Sequence, residues 1–179
     1  MKCDEKDILN MLGNPGTSRK AFAYIVSQYS EQLYWKIRHF VLYHDDADDI
    51  LQNVLMKAWL NLDSFKGDSK ISTWLYRIAV NESLDFLRRQ NKSQMVDNDL
   101  YAAKHLLADD FFDGDATEAL LQEAIATLPE MQRTVFILRY YENMKYTEIS
   151  DMLGRTEGAL KANYHIAVQK ISEYIKHKY

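Results

Sequence analysis

The sequence predicts an all-α protein, and three observations support that fold class. Strand-like alternation of polar and apolar residues is nearly absent, whereas apolar residues recur at helical spacing in several segments. Glycine and proline, which interrupt helices, occur only six and two times in 179 residues. An apolar share of 47% is enough for a packed core, and a charged share of 27% is ordinary for a globular protein. We therefore expect packed helices, in one large domain or two small ones.

The first half of the chain predicts three helices. After a turn at Gly13-Asn14-Pro15-Gly16, apolar stripes predict helices over about 22–37, 45–62 and 70–89. Asp45 and Asp46 favour the start of the second helix, because acidic side chains stabilise a helix N-terminus. Ser69 is a candidate N-cap for the third helix, and Arg88-Arg89 suit its C-terminus.

The second half predicts a helix from about Glu118, followed by a second helix to about Tyr141. Between them, Thr127-Leu128-Pro129-Glu130 has the spacing of a capping box, with the threonine as N-cap and the glutamate three residues later. This pattern predicts that Thr127 starts the second helix.

A helix-turn-helix is predicted over residues 145–171. Gly154 tolerates the positive φ that often follows a helix end, and Thr156 is a good N-cap for the next helix. That helix has apolar positions at Leu160, Tyr164, Ala167 and Ile171, and polar outward positions at Glu157, Lys161, Asn163 and His165. Polar donors and acceptors on the second helix suit base edges and phosphates. Taken alone, the motif is equally consistent with ordinary packing of two helices.

A shift in composition predicts a linker between the two halves. Residues 97–115 contain six aspartates against Lys104 alone, whereas the flanking blocks are close to neutral. We therefore predict domains at 1–92 and 118–179, joined by a flexible acidic linker over 93–117. The segment 92–118, which joins the two domains, has 27 residues and spans about 90 Å when extended, more than the ~70 Å of two DNA turns.

Composition also excludes several classes of protein. A single cysteine, Cys3, rules out an internal disulfide framework, and the absence of a long apolar run or signal-peptide pattern predicts a cytoplasmic protein. The net charge of −4 argues against avid DNA binding by the free chain. The cluster Asp45–Asp49 is a poor metal site, because neighbouring helical residues point apart. We predict no catalytic residue, metal or cofactor.

Two long segments resemble sigma factors of bacterial RNA polymerase. ADDILQNVLMKAWLNLDSFKGDSKISTWLYRIAVNESLDFLRR (47–89) resembles sigma region 2, and LPEMQRTVFILRYYENMKYTEISDMLGRTEGALKANYHIAVQKI (128–171) resembles region 4. The spacing, without a middle domain, is that of the extracytoplasmic-function (ECF) group. The resemblance implies a non-enzymatic factor that binds core polymerase and recognises the −10 and −35 promoter elements.

The resemblance implies a docking site for core polymerase on the helix from Asp48 to Leu60. In the family this helix binds the coiled coil of the β′ subunit, and the matching positions are Asp48, Asp49, Gln52, Asn53 and Lys57. Exposed Met56 and Leu60 beside these polar groups would suit a partner helix pair. The alternative is a solvated acidic helix face.

Recognition and melting of the −10 element are assigned by the resemblance to the following loop and helix. The matching positions are Lys66, Asp68, Ser69, Arg77, Asn81, Arg88 and Arg89. Asn81 and the Lys66–Ser69 loop are expected to contact bases, and the arginines to contact phosphates, because a melted strand needs both. Trp74 fits the apolar stripe of this helix and is more often a core residue.

Recognition of the −35 element is assigned to the last helix. The candidate positions are Lys145, Arg155, Thr156, Lys161, Asn163 and His165. The family often has arginine at three positions that are Asn163, Ile166 and Val168 in this chain. We therefore predict weaker binding to phosphates and a different preference for the −35 sequence. His165 alone would more often be an ordinary surface histidine.

The expected partners are core RNA polymerase, through its β′ and β subunits, promoter DNA, and an anti-sigma factor. No small-molecule substrate and no membrane insertion are expected. The acidic linker is predicted to lie in a basic channel of the polymerase, mimicking nucleic acid. Two other functions remain as alternatives: a stand-alone dimeric helix-turn-helix regulator, which leaves 47–89 without a role, and an all-α hydrolase using the acidic clusters as metal ligands.

Overall fold

The computed structural model describes residues 3–65, 67–93 and 115–178, apart from the side chains of 91–93. These residues contain eight α-helices, one 3-10 turn and no strand, which confirms the all-α prediction. The helices are α1 (Glu5–Leu12), α2 (Ser18–Arg38), α3 (His44–Leu60), α4 (Ile71–Ser93), α5 (Ala116–Ala126), α6 (Glu130–Tyr140), α7 (Tyr146–Leu153) and α8 (Glu157–Lys178). The 3-10 turn is Leu62–Ser64.

The described residues form two compact units. The first comprises the chain up to Ile37 together with Ala47–Ser83, and the second comprises Arg38–Asp46 together with the described residues from Leu84 onward. This division falls inside α4 rather than at the predicted boundary near residue 92. The functional domains 1–92 and 118–179 therefore remain predictions, and most of the predicted linker lies outside the described residues.

The core of the first unit consists of the apolar stripes that the sequence indicates, together with Ile8 of α1, a helix that was not predicted from the sequence. Its fully buried residues include Ile8, Ile25, Ile37, Ile50, Ile71 and Leu75. A contact distant in sequence starts α4: the backbone amide of Ile71 donates to Glu5 Oε1 of α1 at 2.6 Å. The prediction that Ser69 caps this helix is wrong, because α4 begins two residues later and a carboxylate from α1 accepts from its first amide.

The start of α6 also differs from the prediction. Thr127 ends α5, where its hydroxyl donates to the Ala124 carbonyl at 2.7 Å. Pro129 precedes α6 and makes no side-chain capping bond. The predicted Thr127–Glu130 capping box is therefore wrong. At the other end of α5, Asp115, one of the six aspartates assigned to the linker, is the N-cap and accepts from the amides of Thr117 and Glu118.

In the second unit, α8 packs against α5, α6 and α7. Its buried residues Leu160, Ala167 and Ile171 follow the predicted stripe. Two polar contacts fix its C-terminal end, since Tyr174 and Lys178 both donate to the buried Glu123 of α5. Burial and the hydrogen bond to Glu123 raise the pKa of Tyr174 above its ordinary value.

The helix-turn-helix has the predicted geometry. Gly154 ends α7 with φ +63°, in the left-handed region, and its amide donates to the Ser150 carbonyl at 2.9 Å. Thr156 caps α8, accepting from the Ala159 amide at 3.3 Å through its hydroxyl. At the start of α7, the Lys145 amide donates to Glu148 Oε2 at 2.6 Å. The turn between the helices is therefore fixed at both sides by local hydrogen bonds.

Replacing Gly154 with alanine is expected to destabilise the second unit by about 1–2 kcal/mol, the cost of a Cβ in the left-handed region. A Cβ at this position would meet no atom within 4 Å, so the cost would come from backbone strain alone. Gly158→Ala is the matched control. Gly158 lies inside α8 with open space around it, so alanine there should be neutral or stabilising by up to about 1 kcal/mol. Urea unfolding of both variants checks this; equal effects would contradict it.

Candidate nucleic-acid interface

One face of α3 is exposed and combines polar and apolar side chains. Asp49, Gln52, Met56 and Leu60 recur every three or four residues and all point to solvent, with Met56 54% and Leu60 72% exposed. The opposite face is buried through Ala47, Ile50, Val54 and Ala58. The core stripe therefore fixes which side chains α3 presents outward.

The other predicted docking residues of α3 lie beside this face. Asp48 and Asn53 are half-buried. Lys57 Nζ forms an ion pair with Glu82 of α4, whose side chain is only 7% exposed. This ammonium compensates a buried carboxylate, so Lys57 has a structural role that the sequence pattern does not reveal.

Trp59 extends the apolar part of the α3 face and was not predicted. Its ring is 40% exposed and meets Phe22 of α2 edge-on at 5.1 Å between centroids. The signal was present in the sequence, because Trp59 lies three residues after Met56 and seven after Gln52, off the buried stripe.

The predicted −10 residues of α4 share an exposed face. Arg77, Asn81 and Arg88 are exposed and spaced by four and seven residues, which places them on one side of the helix. Arg89, also exposed, lies at the edge of this face, and its Nε donates to the Asp85 carbonyl at 3.2 Å. Asp68 and Ser69 are exposed in the loop before α4, next to Gly67 with φ +76°. Lys66 lies outside the described residues.

Arg88 is paired with carboxylates. Its Nε and Nη2 lie 2.9 and 2.8 Å from Glu130 Oε1, and its Nη1 lies 3.3 Å from Asp85 Oδ1. The hydrogen bond that the guanidinium donates to Glu130 raises its pKa. In this conformation the cation is already neutralised, so a phosphate would have to compete with Glu130 for it.

The aromatic residues around the loop divide into two kinds. Phe65 and Trp74 are half-buried, with ring centroids 4.9 Å apart. Tyr76 is 8% exposed, with Lys36 Nζ 4.4 Å from its ring centroid. Tyr76 is thus a core residue, whereas the Phe65–Trp74 pair borders the exposed loop.

The −35 candidates on α8 do not all lie together. Lys161 and His165 are exposed and one turn apart. Asn163, two residues from each, points to another side of the helix, and its Nδ2 donates to the Ala159 carbonyl at 2.8 Å. Ile166 and Val168 are exposed by 39% and 38%. DNA that approaches this helix from one side can therefore contact both Lys161 and His165, whereas Asn163 lies at the edge of such an interface.

The remaining −35 candidates surround the ends of α7 and α8. Lys145, Arg155 and Thr156 are exposed. The Arg155 carbonyl accepts from the Ser150 hydroxyl at 2.6 Å, which fixes the backbone from which the Arg155 side chain extends. Cations beside the start of a helix are suited to phosphates that flank the bases which the helix reads.

Metal binding and membrane insertion are two further possibilities for the described residues. Among the described residues, no group of three or more His, Cys, Asp or Glu side chains could hold a metal ion. In that same part of the chain, no helix combines the length and apolarity needed to span a membrane.

Comparison with known proteins identifies both halves of the chain. Residues 25–93 match the Sigma-70 region 2 family and residues 118–171 match the Sigma-70 region 4 family. The ECF RNA polymerase sigma factor SigW of Bacillus subtilis is 32% identical over 156 residues, covering 81% of this chain and 83% of that protein. The ECF RNA polymerase sigma-E factor of Escherichia coli K12 is 30% identical over 173 residues, covering 88% of each.

Solved structures show the same fold. CnrH in complex with the cytosolic domain of CnrY gives a TM-score of 0.68 at 22% identity, covering 98% of this chain and 99% of that one. The sigma factor RpoE of Bartonella quintana, in complex with the anti-sigma factor NepR, gives 0.64 at 22% identity, covering 88% and 98%.

An all-α chain with a sigma region 2 block followed by a region 4 helix-turn-helix is a sigma factor of RNA polymerase. This chain belongs to the sigma-70 family, within the ECF group. It directs promoter-specific initiation of transcription by RNA polymerase. The match over 25–93 accounts for the first half of the chain. A stand-alone helix-turn-helix regulator would leave that half without a role.

Proposed function

We propose that the region 2 block, residues 1–92, docks on core polymerase and captures the melted −10 strand, and that residues 118–179 read the −35 element. The exposed α3 face supports the first role most directly. A stripe in which Met56 and Leu60 are more than half exposed to water beside Asp49 and Gln52 is unfavourable for a surface without a partner. Lys57 and Asp48 act around this face, with Lys57 also holding Glu82.

For the −10 strand, the exposed face of α4 supplies both kinds of contact that a single strand needs. Asn81 presents donor and acceptor groups for a base edge, while Arg77 presents a cation for the backbone. Asp68 and Ser69 lie in the loop before this helix, Lys66 is a further candidate from the sequence, and the Phe65–Trp74 pair offers a ring surface for stacking. Arg88 and Arg89 provide further cations for the backbone of the strand. Arg88 would exchange Glu130 for a phosphate when the strand binds.

For the −35 element, Lys161 and His165 are the base-reading pair, because they are exposed on the same side of α8. Lys145, Arg155 and Thr156 hold phosphates around the helix-turn-helix, and Asn163 contacts the flank of the groove. The net charge of −4 supports a division of labour in which core polymerase supplies most of the affinity for DNA.

The remaining partners follow from the same role. An anti-sigma factor is a further partner, a proposal supported by the structure of the sigma factor RpoE in complex with the anti-sigma factor NepR. The site of action is the cytoplasm, where RNA polymerase works, and the chain contributes no catalysis of its own.

The −10 assignment is tested by comparing Asn81→Ala with Arg77→Gln in promoter-opening assays with core polymerase. Loss of a base contact should relax the preference at one −10 position by about 1–3 kcal/mol. Loss of a phosphate contact should weaken binding to all sequences and lower the slope of log K against log salt by about 1. Gln32→Ala, which removes an exposed amide from α2, is the control and should change neither.

The outcome that contradicts this assignment is specific. If Asn81→Ala and Gln32→Ala behaved alike at every −10 sequence, Asn81 would not read a base. If Arg77→Gln left the salt dependence unchanged, the exposed face of α4 would not lie against the DNA backbone.

A further inference from the structure

The ring of Tyr146, the first residue of α7, lies near one cation of α6 and one cation of α8. Arg139 Cζ of α6 is 4.7 Å from the ring centroid, and Lys161 Nζ of α8 is 5.5 Å from it. Both distances are within the range in which an aromatic ring attracts a cation. Tyr146 thus contacts one of the two residues proposed to read the −35 element.

The ring of Tyr146 is itself held in place. Arg139 donates through Nη1 to the Met144 carbonyl, which fixes the guanidinium against the ring. On α8, the ring of Tyr164 meets Tyr146 nearly edge-on, at 6.5 Å and 78°. Tyr164 in turn stacks with Phe136 of α6 at 5.9 Å. The half-buried Tyr146 ring is therefore part of an aromatic cluster that joins α6, α7 and α8.

Lys161 is restrained by two groups that do not use up its hydrogen-bonding capacity. Its Nζ lies 3.4 Å from Glu157 Oε2, one turn earlier on α8, and over the Tyr146 ring. An ammonium group has three donors, and a ring face orients the cation while leaving donors available. A lysine side chain free in water loses more rotamer entropy when it binds than one already held.

We propose that Tyr146 is a positioning residue for −35 recognition, fixing Lys161 in the orientation in which its ammonium group meets DNA. The inference rests on the proposed role of Lys161. It assigns part of the −35 affinity to a residue that contacts Lys161 rather than DNA. It also explains how α8, where Lys161 is the one lysine or arginine among the −35 candidates, obtains a defined contact from it.

The test is a double-mutant cycle on Tyr146 and Lys161, read as initiation by core polymerase from a promoter with an intact −35 element and from one lacking it. Tyr146→Leu removes the ring but keeps an apolar side chain, and Tyr146→Phe keeps the ring. We expect Tyr146→Leu to lower −35-dependent initiation about 2- to 5-fold, corresponding to an exposed cation–π contact. Tyr146→Phe should stay close to the wild type, and Tyr146→Leu should add nothing in a Lys161→Ala background.

A second measurement separates positioning from general support of the fold. In the full chain with carbon-13-labelled lysine, the ε-methylene protons of Lys161 should show an upfield ring-current shift in the wild type and in Tyr146→Phe. The shift should disappear in Tyr146→Leu. Thermal unfolding confirms that each variant is folded at the temperature of the assay.

The outcomes distinguish this inference from the function on which it rests. If Lys161→Ala is defective but Tyr146→Leu is not, or if Tyr146→Leu is equally harmful with and without Lys161, the positioning role is overturned. If Lys161→Ala itself initiates like the wild type, the −35 role of Lys161 fails and the inference fails with it. If the wild-type chain does not support −35-dependent initiation at all, the proposed function fails.

Discussion

Replacing Met56 and Leu60 together with alanine is expected to lower affinity for core RNA polymerase by about 10- to 100-fold, the range of losses at the centre of a protein interface. Both side chains are more than half exposed in the free chain, so the free energy of unfolding should change by no more than about 0.5 kcal/mol. The physical reason is that apolar contact area at the centre of the α3 face is lost from the complex only. Titration of labelled core polymerase with each variant measures the affinity.

The matched control exchanges the two side chains, Met56→Leu with Leu60→Met, which conserves apolar area on the same face. This variant should bind core polymerase within a few-fold of the wild type. Wild-type affinity of the double-alanine variant would show that the polymerase does not dock on this face of α3.

Leu160→Ala is expected to destabilise the second unit by about 2–5 kcal/mol, because Leu160 is completely buried where α8 packs on its neighbours. Initiation from −35-dependent promoters should fall in parallel, since α8 would no longer be held against α5, α6 and α7. Amide hydrogen exchange of these helices measures the effect without assuming that both units unfold together.

Leu60→Ala is the matched control, because it makes the same substitution at a side chain that is 72% exposed. It should leave amide protection in α5–α8 unchanged. If Leu160→Ala lowered the free energy of unfolding by less than about 1 kcal/mol, the surrounding side chains would have filled the cavity. The packing of Leu160 would then not be what fixes the position of α8.

The helices and their buried faces could be predicted wherever the spacing of apolar residues alone determines them. In α3, small and branched residues repeat at helical spacing, so the buried and exposed faces followed directly, including exposed Met56 and Leu60. The turn before α8 was equally predictable, because Gly154 and Thr156 each have one local role, a left-handed helix end and an N-cap.

Helix starts were less predictable where the decisive partner is distant or where two local roles compete. Thr127 fits a capping box, but its hydroxyl instead bonds back to the last turn of α5. Ser69 fits an N-cap. The first amide of α4, that of Ile71, instead donates to Glu5, which lies 66 residues before Ile71 in the chain. A local sequence pattern does not show which of several possible acceptors forms the hydrogen bond.

The candidate site shows the same limit. Spacing placed Arg77 and Asn81 on one face, but no pattern linked Lys57 to Glu82 or Arg88 to Glu130. The contact of Tyr146 with Lys161 joins two helices whose relative placement depends on their packing. Lys66 lies outside the described residues, so its role in the −10 loop stays a prediction. The same holds for the nucleic-acid mimicry predicted for the acidic linker, most of which also lies there.

The central claim is that this chain gives core RNA polymerase its promoter specificity. Run-off transcription from fragmented genomic DNA, with core polymerase alone and with the protein added, tests it most directly. We expect new, defined start sites that share two upstream elements, and their loss with the Met56→Ala/Leu60→Ala variant. Binding to core polymerase without any new start site would contradict promoter recognition by α4 and α8, and the absence of both binding and initiation would contradict the account as a whole.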